Sequence, residues 1–417
     1  MKYRAYFKLK LTLASPLSIG SSNSENTDRD VVLDSRGKPV IPATATAGVF
    51  RERANKDTVK YFGEIDKFKY DEKAKKTVKI ADFQKTDLFF YDAQFLAEKP
   101  VSVRDSVALN EYKSAKSGAK FDFEIVETGA VFIGYVEAVT EAAADAFENL
   151  LTNVLHLGAK NTRGYGSVSV EYQKKDFNSE KTDEWLSFDM FLDSSWENEN
   201  WKTPDKSEAL TTIKLSLKQN GGLSIRQYST NPGKADSVPL ALRDETPVIP
   251  GTSWAGMFRS HITKLLDCGK NGLDDIFGFV DEGSKQSAKS KIRFSESQIT
   301  NALQKQLTRN AIDRFTNGTK DGALFTEVTV YNGTTELQID LRGKIPGEVQ
   351  SALAAAILDL HNGYAAVGGL TSIGRGMFKI EKINTAKVSD KNFKDYWNEK
   401  DSKWELKNLK EDIFGGE

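Results

Sequence analysis

The stretch VIPGTSWAGMFR, residues 248–259, has a near-copy, VIPATATAGVFR, at 40–51. Both put Ile-Pro ahead of small and hydroxyl residues, then a glycine and, three positions on, an arginine: Gly48 with Arg51, Gly256 with Arg259. Proline fixes φ and lacks an N–H donor, so it suits the start of a helix and not its interior. Trp254, Phe258, Ile262 and Leu265 then recur at helical spacing. This predicts a helix with Thr252 or Ser253 capping its first turn and Pro250 just outside.

Working outward, further pairs follow in the same order: Ser18-Ile19 with Ser224-Ile225, Ile41-Pro42 with Ile249-Pro250, and Phe62-Gly63 with Phe277-Gly278. Next come Arg104 with Arg309, Glu124 with Glu327, and Arg163 of TRGYG with Arg375 of IGRGM. A repeat this long indicates two homologous domains, not a solenoid, whose repeats run about 20–50 residues. Each half opens with an alternating strand, residues 2–13 and 213–218, then a Gly/Ser-rich turn, then the Pro-led helix. A second helix is predicted from Phe147, Leu150, Leu151, Val154 and Leu155 in the first half, and from Val349, Leu353, Ile357 and Leu360 in the second. Strands interrupted by two helices per half read as a split βαβ, giving an α+β chain of two tandem ferredoxin-like (RRM-like) domains with long insertions. The domains are placed at 1–175 and 210–384. A polar, aperiodic linker is expected at 176–209, and a charged, partly helical tail at 385–417 whose Tyr396, Trp397 and Trp404 suggest that it docks.

With 39% hydrophobic residues the chain can bury a core in each half. No apolar run approaches membrane-spanning length, and Cys268, the only cysteine, can form no internal disulfide, so a cytoplasmic protein is expected. A net charge of −1 argues against indiscriminate binding to polyanions. Nucleic acid would have to be held at local sites. The lysine-rich segment 56–79 carries eight lysines among five acids and reads as a solvated loop. His156, His261 and His361 lie alone on predicted helices without a metal-ligand companion at i+4, and no Walker A, dinucleotide or G-x-S-x-G motif occurs.

Two paired features point to an anion. Helix starts of the type T-A-T-A-G and T-S-W-A-G present unpaired N–H groups and hydroxyls (Thr44, Thr46, Thr252, Ser253), with Arg51 and Arg259 one turn on. An ordinary capped helix packed on a sheet is the plainer alternative. The loops GAKNTRGYG (158–166) and GGLTSIGRG (368–376) set Arg163 beside Gly164 and Gly166, and Arg375 between Gly374 and Gly376. Glycines beside a guanidinium suit close contact with a phosphodiester chain.

Together these residues resemble two fused copies of the RAMP superfamily, the subunits that form the backbone of type III CRISPR effector complexes. The first copy reads LSIGSSNSENTDRDVVLDSRGKPVIPATATAGVFR and closes with NTRGYG; the second reads LSIRQYSTNPGKADSVPLALRDETPVIPGTSWAGMFR and closes with SIGRG. Ala43 stands where the family has glycine, and Arg226 where Gly20 supplies the turn glycine of the first copy. Fused copies suggest a type III-D or III-E-like system. The resemblance implies a ferredoxin-like palm with a protruding hairpin that stacks along a CRISPR RNA, beside other Cas subunits, and cuts the complementary target RNA. The family's cleaving aspartate precedes the D of D-x-x-G-x-P by about six residues, which puts Asp28 there, six before Asp34. In the second copy Asp236 lies eight before Asp244 and is the weaker candidate. An unperturbed aspartate, pKa about 3.9, is a weak base at neutral pH. The role implied is to orient a 2′-hydroxyl or hold a divalent ion, Mg or Mn. Arg104 and Arg309 match the family's hairpin and would touch the RNA backbone or stack on a base, with ion pairing to neighbouring acids as the alternative. Two other functions compete: a structural scaffold with idle aspartates, and a guide-processing endoribonuclease. The latter typically has one glycine-rich loop and a catalytic histidine in its first half.

Overall fold

The computed structural model describes residues 2–21, 27–63, 68–71, 76–79, 85–96, 101–109, 115–206, 210–228, 235–269, 272–281 and 286–415. By internal packing the chain forms two units, Met1–Ala159 with Gly166–Glu208, and Lys160–Tyr165 with Ala209–Glu417.

In chain order the first unit contains β1 (Arg4–Leu13), α1 (Ala43–Arg53), β2 (Ala93–Phe95), β3 (Val101–Leu109), β4 (Ala115–Val126), β5 (Val131–Ala138), α2 (Glu141–Leu150) and β6 (Ser167–Phe177). Strand β1 lies between β6 and β5, antiparallel to both, and β2 joins the far side of β5. The order β6-β1-β5-β2, with a helix after the first and third strands, is the ferredoxin-like βαββαβ arrangement. Phe7, Leu9 and Leu11 bury one face of β1. On that face the Phe147 ring meets those of Phe7 and Phe50 at 4.9 Å each, seating both helices. Thr140 caps α2, its hydroxyl accepting the Ala143 N–H. Strands β3 and β4 form a separate hairpin.

The opposite face of β1 is not solvated, as its alternation of polar residues suggests. Within the stretch 176–209, expected as a linker, the described residues 178–206 fold over it. Trp196 is buried in a cluster with Tyr6, Tyr135, Phe177 and Met190. Buried Lys8 donates to Asp193 Oδ1 at 2.6 Å with its ammonium 6.0 Å from the Trp196 ring centre. Trp196→Ala is therefore expected to lower the stability of this unit by about 3–5 kcal/mol, read as a drop in the thermal or denaturant midpoint. A loss below about 1 kcal/mol would mean that the segment only rests on the sheet.

The second unit contains β7 (Leu210–Asn220), α3 (Gly251–Leu265), β8 (Ile292–Phe294), β9 (Leu303–Arg309), β10 (Phe325–Tyr331), β11 (Thr334–Arg342), α4 (Gly347–Asn362), β12 (Met377–Asn384) and α5 (Leu406–Phe414). Its sheet order β8-β11-β7-β12 repeats the first, with a bulge in β12 at Glu381, opposite Ser216 and Leu217 of β7. Strands β9 and β10 pair as its hairpin. The charged tail docks on this unit: Phe393, Tyr396, Leu409 and Ile413 join its core.

One helix prediction fails in part. α2 ends at Leu150, and Val154–His156 is an edge strand on β6. Apolar residues at 150, 151, 154 and 155 fit a helix by spacing, yet the chain extends at Leu151 and spends those side chains on the sheet.

Candidate nucleic-acid interface

The Pro-led helices begin where the sequence places them, but their ends are not open anion sites. Pro42 and Pro250 occupy the cap position, and neither cap residue offers a side-chain acceptor. Thr252 and Ser253 lie inside the first turn. At the start of α1 a carboxylate is already in place, since Asp92 Oδ1 accepts the Ala43 N–H at 2.7 Å. Thr46 is buried, its hydroxyl donating to the Ala43 carbonyl. At the start of α3 a Cβ on Gly251 would fall 2.2 Å from the Phe294 carbonyl oxygen and 2.8 Å from that of Arg163. This crowding explains the glycine at 251, where the first copy tolerates Ala43.

The arginines one turn on are also committed. Arg51 donates to the Gly63 carbonyl at 2.7 Å, and Arg259 to Asp274 Oδ1 at 2.5 Å. Each ties its helix to the short helical segment before Phe62-Gly63 or Phe277-Gly278. Gly63 (φ 73°) and Gly278 (φ 77°) end those segments in the left-handed region. The repeated Phe-Gly pairs thus have a folding role, and the two arginines serve it rather than a phosphate.

What remains open is one helix face. Thr44 and Gly48, four apart, are exposed on α1, and Thr252 and Gly256 are exposed on α3. A Cβ on either glycine would meet no atom within 4 Å. Glycine inside a helix costs about 1 kcal/mol relative to alanine. Within each unit, packing gives no reason for either glycine.

The glycine-rich loops repeat one pattern of left-handed residues and glycine contacts, but in a different register from the one their arginines suggest. Lys160 (φ 58°) and Leu370 (φ 56°) match in left-handed conformation, as do Gly164 (φ 87°) and Gly374 (φ 80°). A Cβ on Gly166 would lie 1.9 Å from the Leu157 carbonyl oxygen, and one on Gly376 1.9 Å from that of Val367. Hence Arg163 corresponds to Ile373, and Tyr165 to Arg375. The first pair is exposed and the second buried. Arg375 cannot be the counterpart of Arg163: its guanidinium donates to Glu327 Oε1 at 2.6 Å and to Thr329 Oγ1 at 2.7 Å.

The candidate aspartates take equivalent places against the hairpins. Residues 22–26 and 229–234, which lead into their loops, lie outside the described residues. Exposed Asp28 accepts the Asp122 N–H at 3.0 Å, and Asp122 Oδ1 accepts the Asp28 N–H at 2.9 Å. Glu124 Oε2 then accepts the Val31 N–H, so β4 holds the loop at two points. In the second unit exposed Asp236 accepts the Thr326 N–H of β10 at 2.7 Å, and Ser237 pairs with Glu327. The differing spacings, six and eight, therefore converge on one position. Asp34 shapes the turn that follows: it accepts the Lys38 and Arg36 backbone N–H groups and the Arg36 guanidinium. The Lys38 amide, first among these, holds its carboxyl below the usual range.

Arg104 is buried on β3 and does not stand out from its hairpin, whereas Arg309 pairs with buried Glu327 and keeps 40% of its side chain exposed. The sequence reading missed Asp122, Thr326 and Asp92, and gave Glu327 only as the repeat partner of Glu124; KFDFE (120–124) and LFTE (324–327) are the stretches that hold Asp122, Thr326 and Glu327. The histidines have structural roles: His261 Nε2 pairs with Asp359 at 2.7 Å, and His361 accepts the Ile380 N–H, its pKa pushed down to about 4 by burial. His156 lies on the edge strand and not on a helix. Among the described residues no three His, Cys, Asp or Glu side chains gather into a metal cluster, and no helix is long and apolar enough to cross a membrane. Of the lysine-rich segment 56–79, residues 64–67 and 72–75 lie outside the described residues; 68–71 and 76–79 pair as a hairpin.

The family model of the RAMP superfamily matches residues 10–169 and 191–379. No curated protein matches the chain. Among solved structures, a cryo-EM structure of the type III-B Cmr-beta bound to cognate target RNA aligns at 17% identity with a TM-score of 0.33. That alignment covers 42% of this chain and 60% of the other.

Proposed function

The chain belongs to the RAMP superfamily, and from that premise we propose that it is a CRISPR RNA-binding backbone subunit of a type III effector complex, with Asp28 serving cleavage of guide-paired target RNA. The observation that carries the RNA-binding reading is the bare helix face at Thr44/Gly48, repeated at Thr252/Gly256. Two glycines kept at equivalent mid-helix positions, with nothing of their own unit above them, make room for a backbone from outside. A sugar-phosphate chain meets there the hydroxyls of Thr44 and Thr252, which can donate to phosphate oxygens. Net charge near zero then means that affinity comes from these placed contacts and from assembly with other Cas subunits.

For cleavage, Asp28 and Asp122 are the residues that would hold a divalent ion, Mg or Mn. Two carboxylates suffice for a hard cation that keeps waters and takes its other ligands from substrate phosphates, but not for a resident all-protein site. Such an ion would neutralise charge developing at the scissile phosphate. Asp28 itself orients the attacking hydroxyl, its loop fixed by the bonds to β4. Asp236 is the counterpart in the second unit, without a second carboxylate bonded across to it. The scaffold reading differs only in leaving both aspartates idle.

The two loop arginines offer a test of RNA contact. In the assembled complex Arg163→Ala is expected to weaken guide retention and to reduce the slope of log affinity against log salt by about one. Arg375→Ala, which removes a buried partner of Glu327, should instead lower the thermal midpoint of the isolated chain. An unchanged salt slope for Arg163→Ala would take that residue out of the interface.

A further inference from the structure

Glu327 is almost fully buried on β10 and accepts from two arginines that come from different elements: Arg309 on the partner strand β9 and Arg375 on the glycine-rich loop. Arg375 also donates to Thr329 on the same strand. A buried carboxylate held by two guanidiniums fixes three backbone segments in one arrangement. The residue before Glu327 is Thr326, whose N–H points away from β9 to the Asp236 carboxylate, and Glu327 itself pairs with Ser237, the residue after Asp236. The charge triad and the aspartate are thus joined through a single peptide unit.

We propose that Glu327 is the positioning residue of the second-unit site, holding β10 so that the Thr326 amide sets the Asp236 carboxylate, with Arg375 linking this setting to the glycine-rich loop. The proposal rests on the reading of Asp236 as a cleaving residue. The first unit does the same job by other means. Glu124 reaches the Asp28 loop directly, through the Val31 amide, and the place of Arg375 is taken by Tyr165. The two sites therefore differ in what they depend on: the second requires an intact ion triad.

Two readouts test this. In the full chain, Glu327→Gln should speed hydrogen exchange of the Thr326 amide at least about tenfold, as Asp236→Ala does, because that N–H loses its acceptor geometry. In the assembled complex under single-turnover conditions, Glu327→Gln should slow the cut assigned to Asp236 by about tenfold to a hundredfold, with target Kd and the cut assigned to Asp28 unchanged. The double variant Glu327→Gln/Arg375→Met removes both buried charges and should recover the thermal midpoint, since the Arg309 that remains is 40% exposed and keeps its contact with water. It should recover neither the amide protection nor the rate. A merely structural ion pair predicts that rate returns together with the midpoint, and that result overturns the proposal, as does a Thr326 amide that stays protected in Glu327→Gln. If Asp236→Ala leaves every cut in place, the cleavage reading of Asp236 fails instead, and the amide exchange alone decides whether Glu327 positions the loop.

Discussion

Asp28→Ala should abolish one cut in a complementary target RNA, lowering its single-turnover rate by about a thousandfold or more, while target affinity and the thermal midpoint stay near wild type. The side chain is exposed, and the change leaves apolar packing untouched. Losing one carboxylate acceptor for the Asp122 N–H, at an exposed site where water can replace it, should cost no more than about 0.5 kcal/mol. The rate effect is large because the carboxylate acts on the reacting atoms, whereas binding is spread along the RNA. Asp236→Ala should remove a different cut, offset along the target by one subunit footprint, and the double variant should lose both. A sequencing gel of end-labelled target, run with a divalent metal, separates these outcomes. An unchanged ladder in the double variant would falsify the cleavage assignment and leave a scaffold.

Much of this was legible because duplication supplies its own control. A motif seen twice, in the same order among the same neighbours, fixes the domain plan, and the βαββαβ order follows from where the strands and the two helices fall in each half. The errors come where one residue type serves two physical ends. Arg163 and Arg375 each sit among glycines, and pairing them looks natural. The register is set instead by left-handed backbone at Lys160/Leu370 and Gly164/Gly374 and by carbonyl contacts at Gly166/Gly376, none of which a sequence displays. Lys8 reads as a solvent-side residue until the segment around Trp196 covers it. Arg51 and Arg259, placed where a phosphate contact is expected, are consumed by the carbonyl of Gly63 and the carboxylate of Asp274. At the helix starts Asp92 and the Phe294 carbonyl arrive from distant points in the chain, which the local sequence does not show. In the first copy the candidate aspartate rests on the family resemblance, which sets it six residues before Asp34. In the second, the shared bond to a hairpin amide is what equates Asp236 with Asp28.

Gly48→Leu/Gly256→Leu asks whether the repeated bare helix face receives the RNA backbone. A Cβ at either position meets no atom within 4 Å, both positions are exposed, and leucine is the better helix former by roughly 0.8 kcal/mol at each, so the fold should be kept or strengthened. A backbone lying on that face would be displaced by the new side chains. The measurement is guide RNA retained per chain when the double variant is purified with its partner subunits, alongside the thermal midpoint of the isolated chain. RNA seated on this face implies a midpoint equal to or above wild type with guide retention reduced at least about tenfold, a loss of some 1.4 kcal/mol or more in binding. Full guide retention at an undiminished midpoint would contradict it.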